Sequence, residues 1–406
     1  MEGKETKFLN YSDEIEKFVR EISFPRHSGT DGDEKIRTLL MEKCKESKLT
    51  FFEEKFKASD LFMHVFNRIP YFAWGVLVLV FTFINSFLNT PLTSIVYATL
   101  LLVGSFCLEG FIRALKYPVM YLSKKQYETG NIIIGDDARS DDARMNIIIV
   151  AHTDSKSETP DPHLLMTIEG ISVIFGTWIY ATHSLIYSTI KLAHPAIPLH
   201  STLWFLYGLV FASIDMLRII TRYGNESDGA CDDGTGVAIT LLLMRELKRE
   251  NFKKIKVIGL LAGAEEVGEV GTYMYIENRK EKLDKGKNHF LIVDGIASRA
   301  LLYGTSHGFR AKPFSNPLLN SLKRYLAKDN QFSSVLDLKP QWFPPPVNTD
   351  HSAVVKQGFP AFVLVSVEQL SHGKDDVPEN MDFKALSSVL EFLVAFLHQV
   401  DDDIGG

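Results

Sequence analysis

The chain has 406 residues, a formal net charge of −6 and a hydrophobic share of 46%. Mean hydropathy is near zero, as in ordinary folded proteins, and no Lys/Arg-rich run stands out, which argues against a nucleic-acid partner. The three cysteines, Cys44, Cys107 and Cys231, show no paired spacing, which argues against a disulfide framework and fits a reducing compartment.

The opening MEGKETKFLNYSDEIEKF has no apolar core of a leader, so no cleavable signal peptide is expected. Residues 12–24 place Ile15, Phe18, Val19 and Ile22 at helical spacing, with Ser12 as the expected N-cap. A second amphipathic helix is expected over 33–48 and a strand over 49–57.

Two hydrophobic blocks follow, 71–112 and 164–220. Tyr71–Leu88, Pro91–Ile112, Gly170–Ile190 and Ile197–Ile220 are each mostly apolar and long enough to cross a bilayer core of roughly 20 helical residues. Four transmembrane helices in two hairpins are therefore expected. Buried core helices are the plainer alternative, but runs this long with so few charges are unusual in soluble cores. Segments 1–70, 113–163 and 221–406 then form one soluble domain of roughly 300 residues, a normal size for an α/β unit.

Those segments alternate strand and helix. NIIIV (146–150), KIKVIGLLAG (254–263), HFLIVDG (289–295) and PAFVLVSV (360–367) read as buried strands. Val237–Leu247, opened by Gly234-Thr235-Gly236, and Phe383–Val400 read as helices. Continuous apolar strands separated by helices predict an α/β fold with a mainly parallel central sheet flanked by helices.

Ligands of such sheets bind beyond the carboxyl ends of the strands. Here the strand ends deliver His152-Thr153-Asp154, Glu265-Glu266, Asp294 and His372. Imidazole and carboxylate are the donors of catalytic zinc sites. Asp232, in Gly229-Ala230-Cys231-Asp232-Asp233-Gly234, follows glycines that allow a tight turn, and one carboxylate can bridge two metals. Each element alone is common: an Asp-Asp-Gly is usually a turn and a Glu-Glu a solvated pair. Their joint placement after strands is what points to a metal centre. Asp154 is placed to orient the His152 ring, and of the adjacent Glu265 and Glu266 one can ligate while the other serves as general base.

The motifs HTDS (152–155), GACDDGTGVA (229–238), AGAEEVGEVGT (262–272), LIVDG (291–295), NTDHSAV (348–354) and SHGKDD (371–376) together resemble the co-catalytic di-zinc aminopeptidases. Bacterial leucyl aminopeptidase and glutamate carboxypeptidase belong to that group. PRHSGTDGDEKIRTLLMEKCKESKL (25–49) is similar to its N-terminal region, so the resemblance covers most of the chain outside the hydrophobic blocks. It implies two zinc ions per chain. His152 and Asp294 would bind one, Glu266 and His372 the other, and Asp232 would bridge them. Glu265 would be the general base and Asp154 the residue that orients His152. Two positions depart from the pattern: Cys231 precedes the bridging Asp where Asn is frequent, and Ser371 precedes the last His where some members have Tyr. The oxyanion donor beyond the metals is therefore not assigned.

The expected protein is a membrane-anchored zinc exopeptidase, most simply an aminopeptidase, that acts on peptides. The competing readings are a non-catalytic binding or scaffold protein on the same fold, and glutaminyl cyclase-type acyl transfer. Residues 1–70 hold 13 Lys/Arg and 113–163 hold 7, whereas 85–90 hold none and 191–196 hold one. By the positive-inside rule both termini and the catalytic domain are expected in the cytoplasm. The second block leaves just after Asp154 and returns before Asp232. Its short joins, 155–163 and 221–228, reach at most roughly 25–30 Å, so substrates already at the membrane are expected to be favoured.

Overall fold

The computed structural model describes residues 11–404 except 67, 89, 136–142, 160–176, 195–200, 251, 309, 329–331, 333, 344–346 and 369. The chain divides into two units. One is Met1–Ala58, Gln126–Ser157 and Gly224–Gly406; the other is Ser59–Lys125 and Glu158–Tyr223.

The larger unit is built on one sheet. Its strands are β1 (Phe51–Ala58), β2 (Tyr127–Ile134), β3 (Met145–His152), β6 (Ile255–Ala262), β7 (Asn288–Val293), β8 (Ala300–His307), β9 (Lys312–Pro313), β10 (Asp337–Phe343) and β11 (Ala361–Ser366); the short β4 (Ser157–Thr159) and β5 (Arg222–Gly224) pair separately. The order is β1-β2-β6-β3-β7-β11-β8-β10, with β9 on β8. The centre, β6-β3-β7-β11, is parallel. β1–β2, β2–β6, β11–β8 and β8–β9 are antiparallel. The sheet is thus mixed, not mainly parallel. The expectation rested on the apolar central strands; β10 is parallel to β8, but β1 and β9 are antiparallel edge strands with polar, exposed positions, and pairing direction leaves no trace in local composition.

Alternate residues of β3 explain why it reads as one apolar run. Ile147 and Ile149 lie in one buried cluster, Ile148 and Val150 in another on the opposite face. A strand covered on both sides cannot alternate apolar with polar. The first face carries the helices Ser12–Ile22, Gly236–Leu247, Asn316–Ala327 and Phe383–Asp403. The second carries Tyr275 and Ile276 of the helix Val270–Glu277 and Val354 of the helix His351–Lys356. The first helix begins at Ser12, but Tyr11 is its N-cap and no side chain caps it. Cys44 and Cys231 are buried free thiols and Cys107 an exposed one.

Among the described residues, three helical segments are long and apolar enough to cross a membrane: Phe62–Asn85, Pro91–Ile112 and Phe383–Asp403. The last packs Leu386, Val389, Leu390, Leu393, Phe396, Leu397 and Val400 into the sheet's core, so its apolar stripe is already covered by protein.

The smaller unit holds the helices Ile69–Leu88, Pro91–Leu115, Thr177–Ala193 and Ser201–Leu217. Part of the expected span Gly170–Ile190 lies outside the described residues. Pro91–Leu115 starts where local chemistry dictates: Thr90 and Thr93 form a reciprocal capping box around Pro91, which needs no N–H at the first turn. Ile69–Leu88 packs against Ser201–Leu217, and Pro91–Leu115 against Thr177–Ala193. Gly208 permits the first approach, because a Cβ there would lie 2.4 Å from Thr82 Oγ1. Polar groups between the first two helices satisfy one another. Thr82 and Tyr97 share a 2.5 Å hydrogen bond, and Ser94 donates to Asn85. Leu77, Val80, Phe83, Ile84, Leu100 and Val103 are exposed, an apolar exterior that suits a bilayer.

Candidate active site

Parallel pairing brings the strand ends together. His152, the last residue of β3, is in register with Ala262 at the end of β6. Asp294 follows β7, the other neighbour of β3. Asp232 and Asp233 sit in the turn before the helix Gly236–Leu247. That helix passes close beneath the site at Gly236, where a Cβ would stand 2.2 Å from Asp233 Oδ1 and 2.4 Å from the Val293 carbonyl.

Asp232 stands between two histidines. Its Oδ1 is 2.7 Å from His152 Nε2 and its Oδ2 3.1 Å from His372 Nε2. His152 Nε2 also lies 3.9 Å from Asp294 Oδ1, and His372 Nε2 lies 3.1 Å from Glu266 Oε2. The result is two groups of metal-ligand type, His152–Asp232–Asp294 and Asp232–Glu266–His372, each with ligand atoms within 4.8 Å of one another. All five expected ligand residues are in these groups, and Asp232 is in both.

Asp154 does more than face His152. The His152 Nδ1 is 3.1 Å from the Asp154 main-chain carbonyl and 3.5 Å from its carboxylate. The carboxylate accepts the backbone N–H groups of Glu265 at 3.0 Å and Glu266 at 3.1 Å, and the Ser28 hydroxyl at 3.0 Å. It therefore sets the backbone from which both glutamates project.

Other residues frame the site without having been singled out from the sequence. Asp233 accepts the N–H of His152, Gly236 and Gly295, tying three of the converging segments together. Asp376 accepts the N–H of Cys231 and, at 3.4 Å, of Asp232, and the Ser227 hydroxyl. Arg26, wholly buried, donates to the carbonyls of Thr153, Asp228 and Gly229, and of Ile22 and Phe24. Arg26 and Asp376 lie in motifs the sequence offers, PRHSGT and SHGKDD, but a residue that serves backbone groups carries no spacing signature. Lys156, just after HTDS, places Nζ 2.9 Å from Glu266 Oε2.

The electrostatics follow from this crowding. Burial, then the charges of Asp232, Asp350 and Glu266, raises the Asp294 carboxyl to about 7, against the pull of His152. Burial also pushes Glu265 well above its usual range, with Glu266, Glu269 and Asp350 adding to it and His152 opposing. Burial would raise Asp232 too, but hydrogen bonds and charge from His152 and His372 hold it well below the ordinary carboxylate value.

Two observations fit a cation. Glu266 Oε1 is buried with no hydrogen-bond partner, a cost that metal coordination removes. The carboxylates are also too close to ionise together without positive charge among them. Two His and two carboxylates around a shared Asp are nitrogen and oxygen donors of the zinc type.

The class is legible at this point: a mixed α/β fold, with the sheet flanked by helices and the strand ends converging on a candidate metal centre, as in the zinc aminopeptidases. Residues 209–397 match the family model described as Peptidase family M28, and that stretch contains Asp232, Glu265, Glu266, Asp294 and His372 but not His152 or Asp154. The larger architecture is similar to an aminopeptidase from Aneurinibacillus sp. strain AM-1, at 13% identity and a TM-score of 0.54, covering 96% of this chain and 94% of that one. It is also similar to BSAP, a zinc aminopeptidase from Bacillus subtilis, at 12% identity and a TM-score of 0.53, covering 97% and 96%. A glutaminyl cyclase from Fimbriiglobus ruber is similar at 14% identity and a TM-score of 0.52, covering 98% and 97%. No curated protein matches the sequence. The fold is thus that of the zinc aminopeptidases, which glutaminyl cyclases also have, and residues 209–397 carry the likeness to Peptidase family M28.

Proposed function

We propose that the chain is a membrane-anchored, zinc-dependent exopeptidase, most simply an aminopeptidase. The observation that carries the reading is Asp232, one carboxylate set between two histidines that each have a further carboxylate beside them.

In this reading His152 and Asp294 would hold one zinc, Glu266 and His372 would hold a second, and Asp232 would serve both. Bound zinc supplies a Lewis acid for the scissile carbonyl and lowers the pKa of a water molecule. Glu265 would take the proton from the water that adds to the carbonyl carbon. It then returns the proton to the leaving amine. Asp154 keeps Glu265 and Glu266 aimed through their backbone N–H groups. The helices Ile69–Leu88, Pro91–Leu115, Thr177–Ala193 and Ser201–Leu217 are the anchor. The distribution of Lys and Arg supports both termini and the catalytic unit on the cytoplasmic side.

The test is to incubate the purified protein with a mixed peptide library, with and without chelator, and read the products by mass spectrometry. Chelator-sensitive release of single residues from unblocked amino termini is expected. Release from the carboxyl terminus would keep the peptidase and change its polarity. The structural likeness to a glutaminyl cyclase supports a second reading, acyl transfer on an amino-terminal glutamine. In that case the peptide loses ammonia and no residue is released. A library left unchanged by the metal-loaded protein would favour a binding or scaffold role. Comparing apolar with polar peptides of equal length on the protein in bilayers tests whether membrane-borne peptides are preferred.

A further inference from the structure

Lys156 is a cation at the edge of the metal cluster that nothing above employs. It follows the strand-end segment His152–Ser155, so its backbone is set by the same elements that place His152 and Asp154. Arg26 donates to the Thr153 carbonyl, and Ser155 Oγ accepts the Arg26 N–H and donates to the Ser227 carbonyl. The side chain is 11% exposed and its partner Glu266 is 2% exposed, with Nζ 2.9 Å from Oε2. That oxygen is the one that meets His372 Nε2 at 3.1 Å, and the same His372 nitrogen is 3.1 Å from Asp232 Oδ2. The ammonium is thus one hydrogen bond from the group Asp232–Glu266–His372.

A lysine is costly to bury and gains little from a structural pairing alone. Arg26, a buried second cation near the site, is turned to backbone carbonyls. Lys156 instead sets its Nζ against a ligand-type oxygen of the site, Glu266 Oε2, with 11% of the side chain exposed. A long unbranched stem carrying three rotatable donors can shift from a carboxylate oxygen to another anionic oxygen within a few ångströms.

We propose that Lys156 is a catalytic residue of the reaction described above, the donor that stabilises the oxygen which becomes negative when water adds to the scissile carbonyl. This rests on the peptidase reading. In the addition step a new C–O bond forms between water and the carbonyl carbon. The π pair moves onto the carbonyl oxygen, and the water proton goes to Glu265. Lys156 transfers no proton; it donates a hydrogen bond and its charge to that oxygen, leaving Glu266 to the metal. When the C–N bond breaks, the pair returns, Glu265 delivers the proton to the amine, and Lys156 rejoins Glu266. A fixed cation aimed at developing charge lowers the barrier because it costs no reorganisation at the moment of reaction.

The experiment uses the full chain with Lys156→Met, which keeps the stem and removes the charge, and Lys156→Arg, which keeps the charge. Three quantities are read: zinc affinity of the metal-free protein, kcat and KM on an unblocked peptide, and affinity for a phosphinic pseudopeptide that mimics the tetrahedral anion. Lys156→Met is expected to bind zinc as tightly as the parent or more tightly, since a like charge beside the ligands is gone. Its KM should stay within about threefold. Its kcat should fall roughly 10²–10³-fold, the usual loss for one oxyanion donor, with a matching loss of phosphinate affinity. Lys156→Arg should recover part of both.

Weaker zinc binding by Lys156→Met would overturn the proposal, because Lys156 would then act only by holding Glu266. So would a kcat or a phosphinate affinity within threefold of the parent. A parent protein that cleaves no peptide would instead sink the peptidase reading, while the zinc and phosphinate measurements still decide whether Lys156 meets an anion.

Discussion

The carboxylate of Asp154 accepts the backbone N–H of Glu265 at 3.0 Å, so the residue two places after the strand-end histidine sets the conformation of the loop after a different strand. Its second oxygen does the same for Glu266. In Asp154→Asn one of these acceptors becomes an NH2 group facing an N–H. We expect zinc affinity to fall roughly 10–100-fold, the usual cost of losing a partner that orients metal ligands. Zinc titration of the metal-free variant checks this. Unchanged affinity would show that the glutamates hold their positions without Asp154.

Asp232 belongs to both candidate ligand groups. Asp232→Ala is therefore expected to lower the metal content of both sites, not of one. Elemental analysis of the purified variant after exposure to excess zinc reads the stoichiometry. Two tightly held ions in that variant would mean that Asp232 is not shared.

Glu265 is expected to act on a proton and not on the metal. Glu265→Gln keeps the shape and cannot take a proton. It should retain zinc and lose about two to four orders of magnitude in kcat. Loss of zinc would move Glu265 into the ligand set, and near-parental turnover would place the base elsewhere.

Stability should depend on pH through Asp401. Its carboxylate accepts the backbone N–H of Lys253, Lys254 and Ile255, fixing the start of β6 against the C-terminal helix. Burial would raise its pKa, but those three hydrogen bonds and the Lys254 charge lower it below the ordinary value. A depressed folded pKa gives stability that is full above the unfolded value near 4 and is lost as pH falls through the folded one. Asp401→Asn should cost about 1–3 kcal/mol at neutral pH. The gap between variant and parent should narrow as the pH drops below about 4. Thermal unfolding at a series of pH values measures it; a gap that stays constant into acid would remove the charge from the account.

The proposed anchor has an orientation that the Lys and Arg near the apolar segments predict. A cysteine at Thr90, in the short connection between the first two helices, should react with an impermeant thiol reagent from the non-cytoplasmic side. One at Lys48 should not, when both are compared with the parent chain in sealed vesicles. The opposite pattern would invert the topology.

The strand and helix pattern, the two apolar blocks and the residues of the metal cluster were all legible in the sequence. Burial on both faces forces continuous apolar runs such as Ile147–Val150, and a bilayer-length helix has a composition of its own. Candidate metal ligands are His, Asp or Glu in the turns beyond the strands, which is why His152, Asp232, Glu266, Asp294 and His372 could be named without coordinates and are found in two groups of ligand type. The tertiary structure alone decided the mixed direction of the sheet, because an edge strand such as β1 has the same composition whichever way it pairs. It also showed what covers Phe383–Asp403, a helix apolar and long enough for a membrane that the sequence had placed in the soluble domain: its stripe faces the sheet. Finally, it put Arg26, Lys156, Asp233 and Asp376 around the cluster. Their partners lie on segments tens to hundreds of residues away, and a hydrogen bond between distant segments leaves no periodicity in the chain that makes it.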